Sequence, residues 1–254
     1  MIMEFIKDDN LRILYKKYES MVHNLYFGQV ANTKFLDPNE SSLIKSLFNH
    51  HRLYYKEYKS SEDGERSIIF FSQDDFQADI YVDEKISILQ AKYKVGSIGH
   101  KDILGTLMSK GIERDLIGDI LIKENEFEIC ILSDIKEYLI FEVDKIKRVG
   151  VKLTLLDRKS LAENISTYEE GLIIVSSLRL DIIVSALTNK SRAESKNLVN
   201  RELVKVNYQI IDNPSFEINI NDLISIRRYG RFRIFDFLGK TKKDKYRIRY
   251  GKVI

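Results

Sequence analysis

One cysteine, Cys130, stands in 254 residues. That excludes a disulfide framework and any zinc site built from several thiolates. Its setting, the apolar run FEICIL, marks a buried structural thiol rather than a nucleophile. No apolar run approaches the ~20 residues that a membrane-spanning helix needs. IIFF and GLIIVSSL have the length of core strands. The first residues, MIMEFIKDDN, carry acids where a secretory signal carries basic residues, so an untargeted, cytoplasmic protein is expected. Also missing are a phosphate-binding P-loop, a methyl-donor glycine loop and a synthetase signature of the His-Ile-Gly-His type. His23, His50 and His51 show no metal-ligand spacing, so neither metal nor small-molecule cofactor is expected.

What is present is an ordinary globular composition, 44% hydrophobic and 31% charged, over a length that accommodates two or three small domains. Net charge is only +3, but it is unevenly spread. From Arg179 to Ile254 there are 17 Lys+Arg against 8 Asp+Glu, a balance of +9; the first 178 residues balance at −6. A basic C-terminal third behind an acidic body is the electrostatic footprint of a nucleic-acid-binding module.

The periodicities give an α+β chain in three units. Residues 1–75 read as an N-terminal α/β unit. LRILYKKYESMVHNLY presents a helical face, Asp37-Pro38 is an N-cap followed by proline at the first helical position, and a hairpin turns at Asp63-Gly64. Residues 76–156 run strand–helix–strand–strand–helix–strand, the βαββαβ order of ferredoxin-like and RRM-like folds. Here Gly111 closes the first helix and Asp102 caps its start. Gly105, inside that helix, implies a close approach. Tyr93 and Phe127 are aromatics on the central strands, but no RRM signature is present, so backbone contacts would carry any RNA role of this unit. Residues 157–178, DRKSLAENISTYEEG onward, read as a polar linker. Residues 179–254 begin with two short helices, 179–188 and 191–201, and continue as short strands: LVKVN, FEIN, LISIRR, RFRIFDFLG and KYRIRYGKVI.

In the last unit Arg179-Leu180-Asp181, Ser191-Arg192-Ala193, Leu203-Val204-Lys205-Val206-Asn207 and Asp222-Leu223-Ile224-Ser225-Ile226-Arg227 resemble the small RNA-binding domain named after ribosomal protein S-four. Further upstream, GHKDILGTLMSKGIERDLIGDILI resembles the hallmark of the YlmH family, and SIRRYGRFRIFDFLGKTKKDKYRI is similar to its Arg-rich loop and Thr-Lys-Lys hairpin. Three positions depart from the pattern. Glu202 lies near, and Asn221 and Arg228 stand at, positions where the families usually carry glycine. The resemblance implies a cytoplasmic bacterial RNA-binding protein, associated with the ribosome and with rescue of stalled large-subunit complexes carrying peptidyl-tRNA. Its partners would be structured RNA, rRNA or tRNA, with no membrane; a monomer is expected.

The residue chemistry fits that class. Arg179 and Arg192 begin the two helices, whose free N–H groups favour phosphate. Ser191 is placed to cap the second helix. Lys196 shares a face with Arg192. Lys205 and Asn207 close the first strand, where the Asn207 amide suits a sugar or base edge. Arg227, Arg228, Arg231 and Arg233 crowd one strand–turn–strand with forks that match phosphate. Lys242 and Lys243 occupy the last turn. Lys110 and Arg114 are weaker candidates. His100-Lys101-Asp102 has acid–base spacing, but Asp102 is better placed as a helix cap, so no catalytic residue is expected. The other function class is an RNA-modifying enzyme of the pseudouridine-synthase kind, since Arg179-Leu180-Asp181 echoes such an active site. Only 73 residues follow Asp181, too few for that catalytic domain. A cell-division-associated factor gains support from the family resemblance alone.

Overall fold

The computed structural model describes residues 6, 8–62, 64–93, 98–162 and 168–253. They form two compact units, 1–164 and 165–254. Asp63, half of the expected hairpin turn, lies outside the described residues.

The first unit opens with α1 (Asp9–His23), β1 (Val30–Asn32), α2 (Pro38–His50), β2 (Tyr54–Lys59) and β3 (Ser67–Ser72). Asp37 caps α2 in a capping box: its side chain accepts from Glu40 N at 2.9 Å, and Glu40 accepts from Asp37 N at 2.7 Å. The three strands form an antiparallel sheet ordered β1-β3-β2. All six β3 residues are buried, because both of its faces are covered. Ile69 and Phe71 join the core under α1 and α2, whereas Ile68 and Phe70 join a second core.

That second core is shared with the βαββαβ segment. After α3 (Ala78–Lys85) come β4 (Ile86–Lys92), α4 (His100–Ser109), β5 (Ile117–Ile122), β6 (Glu126–Leu132), α5 (Lys136–Glu142), the small hairpin of β7 (Lys145–Ile146) and β8 (Val149–Gly150), and β9 (Leu153–Leu156). Their antiparallel sheet is ordered β5-β6-β4-β9, the arrangement expected for this motif. Leu89, Ala91, Phe127, Ile129 and Ile131 pack against α4 and α5. On the opposite face Ile86, Ile88, Cys130 and Leu132 pack with Phe35, Ile68 and Phe70 of the preceding segment. Both faces are therefore covered, so among the described residues this sheet offers no open face of the kind on which an RRM stacks bases. Tyr93 and Phe127 belong to the core. Cys130 is fully buried, and burial pushes its thiol well above the ordinary range.

Two local readings change. Asp102 is not the N-cap: α4 starts at His100, and the carboxylate reaches back to accept from Gly99 N at 2.9 Å while pairing with Lys147 at 2.8 Å. Gly105 has open space where a side chain would stand, so no close approach explains it; Gly111, at φ +84°, takes the left-handed position expected of it.

The segment read as a linker is largely structured. Arg158 and Ala162 N hold the buried Glu128 carboxylate at 2.6 and 2.9 Å, and Leu161 N donates to Ser60 O at 2.8 Å. Tyr168–Val175 forms a strand, β10. The second unit continues with α6 (Leu180–Thr188), α7 (Arg192–Asn200), β11 (Val204–Val206), β12 (Gln209–Ile210), β13 (Leu223–Ile226), β14 (Gly230–Lys240) and β15 (Tyr246–Val253). FEIN is loop with one isolated bridge, Arg179 to Glu217, rather than strand. The six strands are ordered β10-β15-β14-β13-β11-β12, all antiparallel. Val204, Val206, Ile224, Ile226, Phe232 and Ile234 face the helices and fill the core.

Candidate nucleic-acid interface

The alternation that sends those residues inward sends their neighbours to the other face of the sheet. Lys205 lies opposite Ser225, and Ser225 lies opposite Arg231, so the two cations flank a serine in one row across three strands. Arg233 follows on β14 and donates from Nη1 to Asn221 O at 3.1 Å. Arg227 and Arg228 stand exposed in the β13–β14 turn, and Lys242 and Lys243 stand exposed in the β14–β15 turn.

A second group forms at the helix starts. Asp181 is 1% exposed, yet it is surrounded by charge. Arg179 grips it with two bonds, Nε to Oδ1 at 3.0 Å and Nη2 to Oδ2 at 3.2 Å. Arg192 Nε donates to Oδ2 at 3.1 Å. Burial alone would raise this carboxyl, but the bonds from Arg179 and Arg192 outweigh it and hold the group below the usual carboxylate range. The arrangement fixes two guanidiniums while leaving Arg179 39% and Arg192 62% exposed. Each still offers N–H donors beyond those spent on the carboxylate. Lys196 is exposed on the same helix as Arg192.

The start of α6 is not an open anion site, and that of α7 is capped. At α6, Leu180 N and Asp181 N donate to Phe216 O and Pro214 O at 2.8 and 3.1 Å. At α7, the Ser191 hydroxyl accepts from Glu194 N at 3.2 Å, and Glu194 Oε2 takes the Ser191 N–H and O–H at 3.0 and 2.8 Å. Ser191 is thus a capping residue with a carboxylate beside it.

Asn207 is also structural. With Tyr208 it makes the two-residue turn between β11 and β12, at φ 49° and 71°. Its amide donates to Asp222 Oδ1 at 2.7 Å and accepts from Leu223 N at 2.9 Å, so the end expected to read a sugar or base holds the turn. In the first unit, Arg114 is spent on the carbonyls of Ile117 and Gly118; burial, then repulsion from Arg66, lowers it to about 10. Lys110 pairs with Glu142 at 3.5 Å.

Two constellations lay outside the sequence reading. One is the bond from Arg192 to Asp181, which ties both arginines to a single carboxylate. The pairing with Arg192 spans eleven residues and depends on how the two helices pack. The other brings Glu19, His23 and His51 together, although their spacing carries no metal-ligand pattern. Among the described residues no helix is long and apolar enough to cross a membrane.

Residues 73–160 match the family described as a putative RNA-binding domain in YlmH, and residues 178–224 match the S4 domain. The chain is 29% identical over 224 residues to the ribosome-associated protein quality control protein P2 of Bacillus subtilis (strain 168), covering 87% of this chain and 86% of that protein. It is similar to the solved structure of the cell division protein ylmH from Streptococcus pneumoniae: 28% identity, TM-score 0.50, spanning 59% of this chain and 92% of the other. The chain thus carries a segment matching the YlmH RNA-binding domain, followed by one matching the S4 domain.

Proposed function

We propose that this chain is a non-catalytic, cytoplasmic RNA-binding protein that docks on structured rRNA or tRNA of the large ribosomal subunit. It would act in ribosome-associated quality control, on stalled complexes carrying peptidyl-tRNA. The single observation that carries the reading is the buried Asp181 carboxylate holding Arg179 and Arg192 with exposed forks. A rigid array of cationic forks is what a reader of folded RNA needs, because phosphates and 2′-hydroxyls are recognised by shape. The name of the Bacillus subtilis relative supports the ribosomal setting.

The same geometry speaks against the modifying-enzyme reading. A nucleophilic or basic aspartate must reach substrate, whereas Asp181 is buried and spends both oxygens on arginine. The closed faces of the βαββαβ sheet also favour the second unit as the main RNA grip.

The test is co-sedimentation with ribosomes and separated subunits across a salt series, comparing wild type with an Arg192→Ala/Arg231→Glu double variant. Salt-sensitive migration with the large subunit, lost in the variant, is expected. Migration with no ribosomal particle would reject the ribosomal reading. Migration that ignores both substitutions would reject the proposed interface.

A further inference from the structure

A separate feature of the first unit points to an ion rather than to RNA. Glu19 and His23 are four residues apart on α1 and share a face. His51 is the C-cap residue of α2, its backbone held by the bond from His51 N to Leu47 O at 3.1 Å. The two helices are fixed to each other by a common core that includes Tyr18, Val22, Leu47 and Phe48. One ligand atom from each of Glu19, His23 and His51 lies within 4.8 Å of the other two. The His23 and His51 rings stand nearly perpendicular, at 86°, with centroids 5.4 Å apart.

A tetrahedral Zn2+ with bonds of about 2.0–2.1 Å places its ligand atoms about 3.3 Å apart. Closing the group onto an ion therefore asks for side-chain movements of about 1 Å, within the reach of rotamer adjustment. Two imidazoles and a carboxylate suit Zn2+ and its first-row neighbours, whereas Mg2+ and Ca2+ favour oxygen alone. His50 has its ring 5.2 Å from His51 but stands outside the three-residue group.

We propose that Glu19, His23 and His51 form a binding site for a divalent first-row transition ion, Zn2+ by preference, with the remaining position left to water. Such an ion joins the last turn of α1 to the end of α2 and stabilises the first unit independently of RNA binding.

The test uses untagged, full-length protein stripped with EDTA. Co2+ is titrated for its visible d–d absorption, and Zn2+ is titrated by calorimetry. One saturable equivalent is expected, with affinity reduced at least tenfold in His23→Ala and in His51→Asn. Glu19→Gln should weaken binding by a smaller factor, and His50→Asn should leave it within about twofold. Circular dichroism establishes that each variant is folded, and the exposed His23 makes His23→Ala the safest of them. Absence of both a d–d band and a saturable heat overturns the site. Saturable binding that survives His23→Ala and His51→Asn overturns it equally, as does binding lost in His50→Asn but untouched in Glu19→Gln.

Discussion

Asp181→Asn separates two effects of opposite sign. The substitution keeps the shape of the side chain but removes the charge on which Arg179 and Arg192 converge. It also makes the site one unit more positive, which by itself favours phosphate by about 1 kcal/mol at ~4 Å in water. Against this, the two guanidiniums lose their fixed orientation, and ordering such a side chain on binding costs about 0.5–1.5 kcal/mol each, or about 2 kcal/mol together. The net at low salt is about 1 kcal/mol, roughly fivefold weaker binding. Salt screens the charge effect but leaves the ordering cost, so the deficit should widen toward about thirtyfold as ionic strength rises. Stability falls as well, by about 2–3 kcal/mol, since three charge-assisted hydrogen bonds are weakened while the arginines regain water. Fluorescence anisotropy with labelled bulk tRNA over a salt series, paired with urea denaturation, reads both quantities. The sign of the pH dependence follows from the depressed carboxyl. Its stabilising contribution is present above the unfolded value near pH 4 and is lost as pH falls through the lower folded value. Tighter RNA binding by Asp181→Asn at every salt concentration would refute the positioning role and leave local charge count as the governing factor.

The other expectations concern the anchors around that site and the backbone beneath it. Glu128→Ala removes a buried acceptor from Arg158 and Ala162 N, and should cost about 2–3 kcal/mol in urea denaturation. Hydrogen exchange at Ala162 should quicken more than in the strands; equal protection would show that the segment is held without Glu128. Glu202 and Arg228 adopt φ of 58° and 75°, so Glu202→Gly and Arg228→Gly should each stabilise by about 0.5–1 kcal/mol. Arg228→Gly should also lower the salt-dependence slope of RNA binding by about 1, and a lower melting temperature would contradict the strain argument. Asn207→Ala should cost about 2–3 kcal/mol through its two lost bonds while leaving RNA affinity of the folded protein near wild type. A larger affinity loss than in Arg192→Ala would return that amide to the RNA surface.

Much of the fold was legible because its strands carry their own pattern. ISIL, FEICIL and IIFF are largely apolar runs, and each lies in a strand covered on both faces. What the runs did not disclose was their second partner: the apolar character that marks them as buried is equally compatible with two separate units. β10 was legible only in part: GLIIVSSL has the length of a core strand, but it follows the polar run read as a linker. It is an edge strand hydrogen-bonded to β15 alone, with exposed Glu169 and Glu170 at one end and Leu172 and Ile174 half exposed. Such a strand needs no regular alternation to hold its place. The departures from glycine at Glu202, Asn221 and Arg228 illustrate a different kind of signal. All three positions have positive φ, so the expected residue type revealed a backbone requirement even where the sequence did not satisfy it.

The candidate site divides along the same physical line. Residue type identifies a cation, but only packing determines whether its charge is already spent. Arg114 and Arg192 are equivalent as letters, each near a helical start. Arg114 is turned onto the carbonyls of Ile117 and Gly118. Arg192 gives one bond to Asp181 and keeps most of its fork in water. A carboxylate between arginines at first sight subtracts from an RNA-binding surface. On the proposed reading it adds to one, because flexible guanidiniums must be ordered when RNA arrives, and those held by Asp181 are ordered beforehand. The acid most damaging to phosphate attraction by simple charge count is therefore the residue on which the arginine geometry depends.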